Sequence, residues 1–218
     1  MEKSIGKLLV DSYYATDKYL EELSKVTKVI YLDDLGELTY PVDRIINYNI
    51  YASKIDYCKL TGCNKYNLLL GPQYAPLREE FQIVKPVYRE QVKKVLISTG
   101  GADKYNIAGK LIERVLENSA LLGIEFCVVS GKLNIHYNEL LMLAEQSTDI
   151  YIYSNVAKMS DLMCQCDIAI SGCGSTIYEL CRCGLPIITF HLQTIRNPEL
   201  RLLMRKRWQL IVVMPEME

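Results

Sequence analysis

Two glycine-rich turns follow predicted β-strands and precede predicted helices. The first is Gly100-Gly101, after VLIST (95–99), and the second is GCGST (172–176), after DIAIS (167–171). Glycine lets the backbone approach a ligand closely, and the unpaired N–H groups and dipole of a helix N-terminus favour a phosphate. The turns therefore predict an anion site, although tight turns between a strand and a helix use glycine without any ligand as well.

The spacing of the glycines limits the chemistry that these turns predict. Neither turn has the GxGxxG or the Walker pattern, so we expect neither a dinucleotide cofactor nor ATP hydrolysis, and no cofactor at all. Glu179 follows Thr176 by three residues, which is the spacing of a capping box. The same carboxylate could instead accept hydrogen bonds from two ribose hydroxyls, and the spacing alone does not separate these two interpretations.

Histidines and cysteines offer weaker candidates. His191 directly follows PIITF (186–190) at the end of a predicted strand, where it could face a ligand, but the lack of a carboxylate partner favours a capping or surface role. The two C-x-C pairs, at 164/166 and 181/183, lie in predicted helices, where residues two apart point to different faces. We therefore expect reduced thiols in the core and no metal site.

Composition excludes several classes of partner. Lys and Arg total 25 and Asp and Glu total 26, so the formal net charge is −1. The chain therefore lacks the excess of positive charge that is typical of proteins that bind nucleic acids or anionic membranes. The apolar runs are too short to span a bilayer, and no cleavable signal is recognisable. We expect a cytoplasmic protein without membrane insertion.

Hydrophobic patterns alternate between strand and helix along the chain. Thr16 and Asp17 begin a helix whose apolar residues recur at helical spacing. Such alternation predicts an α/β fold, with a parallel Rossmann-like sheet covered by helices on both faces. Strands are predicted at 7–12, 28–34, 44–49, 67–71, 95–99, 125–131, 149–154, 167–171, 186–190 and 209–214, and helices at 17–26, 106–119, 137–146, 157–165, 176–183 and 198–207.

The pattern restarts after a polar, tyrosine-rich stretch at 51–66 without a clear period. We therefore predict a complete α/β domain at 66–218, preceded by a partial α/β domain and linker at 1–65. Residues 1–50 have too few predicted strands to bury a core of their own. An unpaired edge of that partial sheet could support a homodimer.

Several segments together carry a family resemblance. ISTGGAD (97–103), NVAKMSDLM (155–163) and AISGCGSTIYELCRCGLPIITF (169–190) resemble the C-terminal half of GT-B nucleotide-sugar enzymes. With VDSYYATDKYLEEL (10–23) and GPQYAPLREEF (71–81), the chain is more closely similar to the hydrolases of pseudaminic acid biosynthesis that cleave UDP-2,4-diacetamido-2,4,6-trideoxy-β-L-altropyranose, and to their spore-coat polysaccharide relatives.

The resemblance implies a UDP-sugar or UDP as ligand and a role for each matched residue. The diphosphate would bind at the second glycine turn and near the first, the ribose at Glu179 and the uracil against the segment that begins at Asn155. Tyr13 would be an active-site tyrosine that faces the sugar. The implied site residues are Tyr13, Gly100, Gly101, Asn155, Val156, Met159, Gly174, Ser175, Thr176 and Glu179, with His191 as a further candidate from the sequence pattern.

One departure from the family limits the expected activity. Members of the family carry an N-terminal glycine-rich turn with a histidine, the proposed base that activates water, and no GxGH occurs here. We expect this chain to bind nucleotide weakly and to turn over little or no substrate alone. A GT-B glycosyltransferase, which uses an acceptor hydroxyl instead of water, and a non-catalytic nucleotide-binding module remain alternatives to a hydrolase.

Overall fold

The structure, a computed structural model, describes residues 5–37, 39, 41–62, 65–172, 174–190 and 211–213. The chain divides into two compact units after Pro76. Each unit is built on its own sheet of mainly parallel strands. This arrangement is the α/β class that the sequence predicts.

The first unit contains a four-stranded parallel sheet in the order β1-β2-β3-β4. Its first helix starts where the sequence predicts, because the Thr16 hydroxyl accepts a hydrogen bond from the Tyr19 amide at 3.3 Å. The elements are Lys7–Val10 (β1), Asp17–Ser24 (α1), Lys28–Leu32 (β2), Arg44–Asn47 (β3), Tyr57–Thr61 (α2) and Leu68–Leu70 (β4).

The first unit has a hydrophobic core of its own, which extends beyond residues 1–50 because it includes Tyr57 and packs against Leu68 and Leu70 of β4. The strand predicted at 67–71 forms as β4, but it pairs with β3 and thus completes the first sheet rather than starting the second. The boundary predicted after residue 65 therefore moves to Pro76. The buried core residues are Val10, Leu20, Val29, Tyr31, Val42, Ile45 and Tyr57.

The second unit contains a six-stranded sheet in the order β10-β9-β8-β5-β6-β7, in which β10 runs antiparallel to β9 and the other pairs are parallel. The helix predicted at 198–207 lies outside the described residues. The elements are Lys94–Ser98 (β5), Ile107–Leu116 (α3), Glu125–Ser130 (β6), Tyr137–Ala144 (α4), Ile150–Ser154 (β7), Met159–Gln165 (α5), Ile168–Gly172 (β8), Thr176–Arg182 (α6), Ile187–Phe190 (β9) and Ile211–Val213 (β10).

Helices cover both faces of this second sheet. Side chains of a strand alternate between the two faces. Val95 and Ile97 of β5 pack with Ile112 of α3, whereas Leu96 packs into a separate cluster with Leu180 of α6. The two clusters are the two hydrophobic layers of a Rossmann-like domain.

The strand order reverses between β5 and β8. From β5 the chain proceeds outward through β6 and β7, and it then returns to place β8 on the other side of β5. Open α/β sheets bind ligands at the carboxyl ends of their strands at such a reversal. Both glycine-rich turns begin there, one after Ser98 and the other after Gly172.

The described residues contain no helix that is both long enough and apolar enough to cross a bilayer. Within the same ranges, no three His, Cys, Asp or Glu side chains come together as a metal site would require. Five cysteines belong to the hydrophobic cluster around Leu96 and Leu180, as expected for reduced core thiols, namely Cys127, Cys164, Cys166, Cys181 and Cys183.

Candidate functional site

The first glycine turn leads into a helix whose N-terminus is already occupied. The Asp103 carboxylate accepts hydrogen bonds from the amides of Ile107 at 2.8 Å and Ala108 at 2.9 Å, and the Asn106 side chain accepts from Gly109 at 3.2 Å. Asp103 is only 4% exposed. Because these side chains satisfy the first amides of α3, this helix end has no donors left for a phosphate.

The backbone of the first turn still lies at the strand reversal. Gly100 has a φ of +95°, a conformation that residues with a Cβ rarely adopt. The carbonyl of Gly101 accepts a hydrogen bond from the Leu133 amide at 3.2 Å. The backbone of this turn is in close contact with Gly131. A Cβ added at Gly131 would lie only 2.5 Å from the Cα of Gly101. The turn is therefore held against the loop that follows β6.

The second glycine turn differs because its helix begins without a side-chain cap. Ser175 is the N-cap of α6 and its side chain makes no capping hydrogen bond. The Gly174 amide donates to the Gly172 carbonyl at 2.9 Å, but no described residue accepts from the amides of Ser175 or Thr176. Of the two helix N-termini that follow the glycine turns, the start of α6 is the one whose first amides have no acceptor among the described residues.

Glu179 does not form the capping box that its spacing suggested. The helix starts one residue too early for that register, with Ser175 rather than Thr176 as its N-cap. The carboxylate instead receives two hydrogen bonds from Arg78, from Nε to Oε1 at 2.8 Å and from an Nη to Oε2 at 3.1 Å. Glu179 also lies one helical turn after Ser175, in the same helix whose first amides, those of Ser175 and Thr176, have no acceptor among the described residues.

Arg78 is the main site residue that sequence reasoning missed. It also forms an ion pair with Glu80 at 2.9 Å, and its guanidinium lies over the Phe81 ring, 5.1 Å from the centroid. The hydrogen bonds to Glu179 raise the pKa of Arg78 above its usual value. Arg78 occurs within the matched segment GPQYAPLREEF, but nothing in the sequence pairs it with a residue in α6.

The predicted uracil-binding segment lies in the loop between β7 and α5. Asn155 is exposed and has a left-handed φ of +53°. Val156 and Met159 are half-buried against the same hydrophobic cluster as Leu180 of α6. One polar contact connects the start of α5 to the arginine network, because the buried Ser160 hydroxyl donates to Glu80 at 3.2 Å.

In the first unit, Tyr13 follows β1 and its hydroxyl donates to Asp34 at 2.6 Å. The ring is 70% exposed. This hydrogen bond, together with partial burial and the charge of Asp34, raises the pKa of Tyr13 to about 12. Asp34 lies in a turn that the buried Asp33 holds by accepting from the Tyr57 hydroxyl at 2.7 Å and the Gly36 amide at 3.0 Å.

Replacing Asp34 with asparagine is expected to lower the pKa of Tyr13 from about 12 toward 10. The neutral amide removes the negative charge that opposes formation of a phenolate. NMR titration with tyrosine labelled at Cζ, with the Tyr13 resonance assigned by a Tyr13→Phe variant, measures this change. Asp11→Asn is the matched control and should have a smaller effect, since Asp11 acts on Tyr13 only through a weaker charge interaction. An unchanged pKa in Asp34→Asn would contradict the assigned hydrogen bond.

Comparisons with known proteins agree with this architecture, although no family model matches the chain. An uncharacterized protein of Methanocaldococcus jannaschii is 30% identical over 189 residues, which are 83% of this chain and 38% of that protein. The pseudaminic acid cytidylyltransferase and UDP-2,4-diacetamido-2,4,6-trideoxy-β-L-altropyranose hydrolase of Helicobacter pylori is 30% identical over 179 residues, 79% of this chain and 31% of that protein. The spore coat polysaccharide biosynthesis protein SpsG of Bacillus subtilis is 22% identical over 191 residues, 85% of this chain and 56% of that protein.

The chain thus spans between 31% and 56% of the length of these relatives. Among solved structures, the GtfA/B complex matches with a TM-score of 0.56 and 14% sequence identity, over 86% of this chain and 42% of that chain. The fold is GT-B-like. This confirms the fold class predicted from the sequence, and the relatives support the resemblance to pseudaminic acid and spore-coat polysaccharide proteins.

Within the GT-B-like fold, most of the predicted nucleotide-binding residues lie in one unit. The turns and loops that carry them follow β5, β7 and β8 at the carboxyl edge of the second sheet. Tyr13 lies in the first unit, and His191 lies outside the described residues. The residues that the second unit brings to this edge are Gly100, Gly101, Asn155, Val156, Met159, Gly174, Ser175, Thr176 and Glu179.

Proposed function

We propose that this chain forms the nucleotide-sugar-binding part of a UDP-sugar hydrolase in surface or spore-coat polysaccharide biosynthesis. The similarity to the Helicobacter pylori protein, whose name includes a UDP-sugar hydrolase, supports the reaction class, and the similarity to the Bacillus subtilis spore coat protein supports the polysaccharide context. The ligand proposed for the chain is a UDP-sugar, from which UDP is released.

The observation that carries the proposal is the combination of features at the start of α6. The amides of Ser175 and Thr176, for which no described residue is an acceptor, are followed one turn later by the Glu179 carboxylate. In the proposed complex the amides donate to the diphosphate and Glu179 accepts from the ribose hydroxyls. Gly100, Gly101 and Gly174 leave room for the phosphates, and Asn155, Val156 and Met159 lie against the uracil.

In the proposed reaction, a water oxygen forms a bond to the anomeric carbon of the sugar while the bond from that carbon to the diphosphate oxygen breaks. The bonding electrons stay on the departing UDP, and the amides and dipole at the start of α6 stabilise the charge that develops there. The attacking water gives its proton to a base, to which we assign none of the described residues. Tyr13, held by Asp34, is proposed to contact the sugar. An acceptor hydroxyl in place of water would make the same reaction a glycosyl transfer.

Calorimetric titration of the full chain with UDP, with ADP as control, tests the nucleotide assignment. We expect UDP to bind with a dissociation constant in the micromolar to millimolar range and ADP not to bind, because the uracil edge and not the diphosphate alone determines recognition. Equal affinity for UDP and ADP would show that the site binds the diphosphate and ribose without recognising the uracil. No binding at millimolar UDP would contradict the proposal.

A further inference from the structure

The ion pair between Arg78 and Glu179 fixes the orientation of a carboxylate. Arg78 donates through Nε to one carboxylate oxygen at 2.8 Å and through an Nη to the other at 3.1 Å. Two parallel hydrogen bonds from a planar guanidinium define the plane of the carboxylate as well as its position, which a single contact from a lysine does not. Glu179 is thereby held in one rotamer before any ligand arrives.

Arg78 is itself held in place by groups other than Glu179. Its remaining Nη pairs with Glu80 at 2.9 Å, and the guanidinium lies over the ring of Phe81, which is fully buried. Glu80 in turn accepts from the Ser160 hydroxyl at 3.2 Å. Glu80 and Phe81 thus hold the guanidinium directly, and Ser160 on α5 holds Glu80, so Arg78 has a fixed orientation in which it can support Glu179.

The hydrogen-bonding capacity of the carboxylate matches what a ribose offers. An ionised carboxylate accepts about four hydrogen bonds, two at each oxygen. Arg78 uses one site on each oxygen, so one site on each oxygen remains. A ribose presents two neighbouring hydroxyl donors, and the capacity left on the carboxylate oxygens is enough to accept from both. Glu179 is 15% exposed, so few water molecules compete for them.

We propose that Arg78 is a positioning residue for ribose recognition, which holds the Glu179 carboxylate in the orientation that accepts both ribose hydroxyls. This inference rests on the proposed function. Arg78 acts through Glu179 and need not contact the nucleotide. An alternative role for the same cation, general attraction of the diphosphate, makes a different prediction, because the phosphates are the same whether or not the ribose carries its 2′-hydroxyl.

Calorimetric titration of the full chain with UDP and with 2′-deoxy-UDP separates these roles. We expect the wild-type chain to bind UDP about tenfold or more tighter than 2′-deoxy-UDP, since an unpaired charged acceptor is left when the hydroxyl is absent. In Arg78→Ala this ratio should fall to about one, through weaker binding of UDP and little change for 2′-deoxy-UDP. Arg78→Lys keeps the positive charge but loses the two parallel hydrogen bonds of the guanidinium. It should therefore give a ratio of UDP to 2′-deoxy-UDP affinity between those of the wild type and Arg78→Ala.

Arg114→Ala is the matched control. Arg114 of α3 forms an exposed ion pair at 2.9 Å with Glu117, the C-cap residue of the same helix, so its loss should leave both affinities unchanged. Circular dichroism and thermal unfolding of each variant establish that the fold is retained. Because Arg78 is about half exposed, we expect only a small change in stability from its replacement.

Three other results of these titrations would contradict the proposed role of Arg78, each for a different reason. If Arg78→Ala weakens UDP and 2′-deoxy-UDP equally, Arg78 attracts the phosphates and does not position Glu179. If the wild-type chain binds UDP but does not distinguish it from 2′-deoxy-UDP, ribose recognition by Glu179 fails while the nucleotide site stands. If the wild-type chain binds neither nucleotide, the proposed function fails and this inference fails with it.

Discussion

Replacing Glu179 with alanine is expected to lower the affinity for UDP by about tenfold to a thousandfold. The proposed complex has two hydrogen bonds from the ribose hydroxyls to this carboxylate, and two such bonds of about 2 kcal/mol each correspond to the upper end of this range. The lower end of the range applies if water replaces part of the lost interaction. Calorimetric titration of the variant with UDP measures the effect directly.

The fold should survive this replacement, which makes the binding result interpretable. Ser175 and not Glu179 is at the N-cap of α6, and Arg78 keeps its ion pair with Glu80 when Glu179 is removed. Glu117→Ala is a matched control, because Glu117 is also paired with an arginine but lies at the C-cap of α3. An unchanged UDP affinity in Glu179→Ala would contradict the ribose assignment and favour a non-catalytic module that does not use this carboxylate.

Replacing Gly131 with alanine is expected to destabilise the second unit by about 2–3 kcal/mol, within the range for overpacked positions. An added Cβ would lie 2.5 Å from the Cα of Gly101 and 2.7 Å from its carbonyl carbon. Both atoms belong to the backbone and cannot rotate away, so either the turn at Gly100-Gly101 or the end of β6 must move. Denaturant unfolding of the variant, followed by circular dichroism, measures the loss.

Gly101→Ala is the matched control for this prediction. Gly101 is the other partner in the same contact, but a Cβ added there meets no atom within 4 Å, and its φ is not in the left-handed region. We therefore expect its stability to remain within about 0.5 kcal/mol of the wild-type value. Equal stability of the two variants would show that the turn moves freely and that the close approach does not constrain it.

Patterns with a local cause could be predicted from the sequence. The central strand β5 contains a continuous apolar run because both of its faces are buried, as Val95, Leu96 and Ile97 show. The capping residue Thr16 predicts the helix that starts at Asp17. These features depend on neighbours a few residues away, which a single sequence displays directly.

Features that depend on distant residues could not be predicted. The run at 68–70 reads as a strand, but only pairing with Ile45 and its neighbours places it in the first sheet. Residues 51–66 read as irregular, but Asp56 caps a short helix there by accepting from the Lys59 amide at 3.1 Å. The partner of Glu179 is Arg78, and ion pairs between separate segments leave no periodic signal.

The position of β5 has a consequence for the chain as it leaves the ribosome. β5 is paired on one edge with β6, which follows it closely, and on the other edge with β8, which begins only at Ile168. During synthesis, β5 to β7 can associate while the second edge of β5 still lacks its partner. That edge, with Val95, Leu96 and Ile97, is open to strands of neighbouring nascent chains until β8 emerges, so a pause in translation before Ile168 favours aggregation over folding.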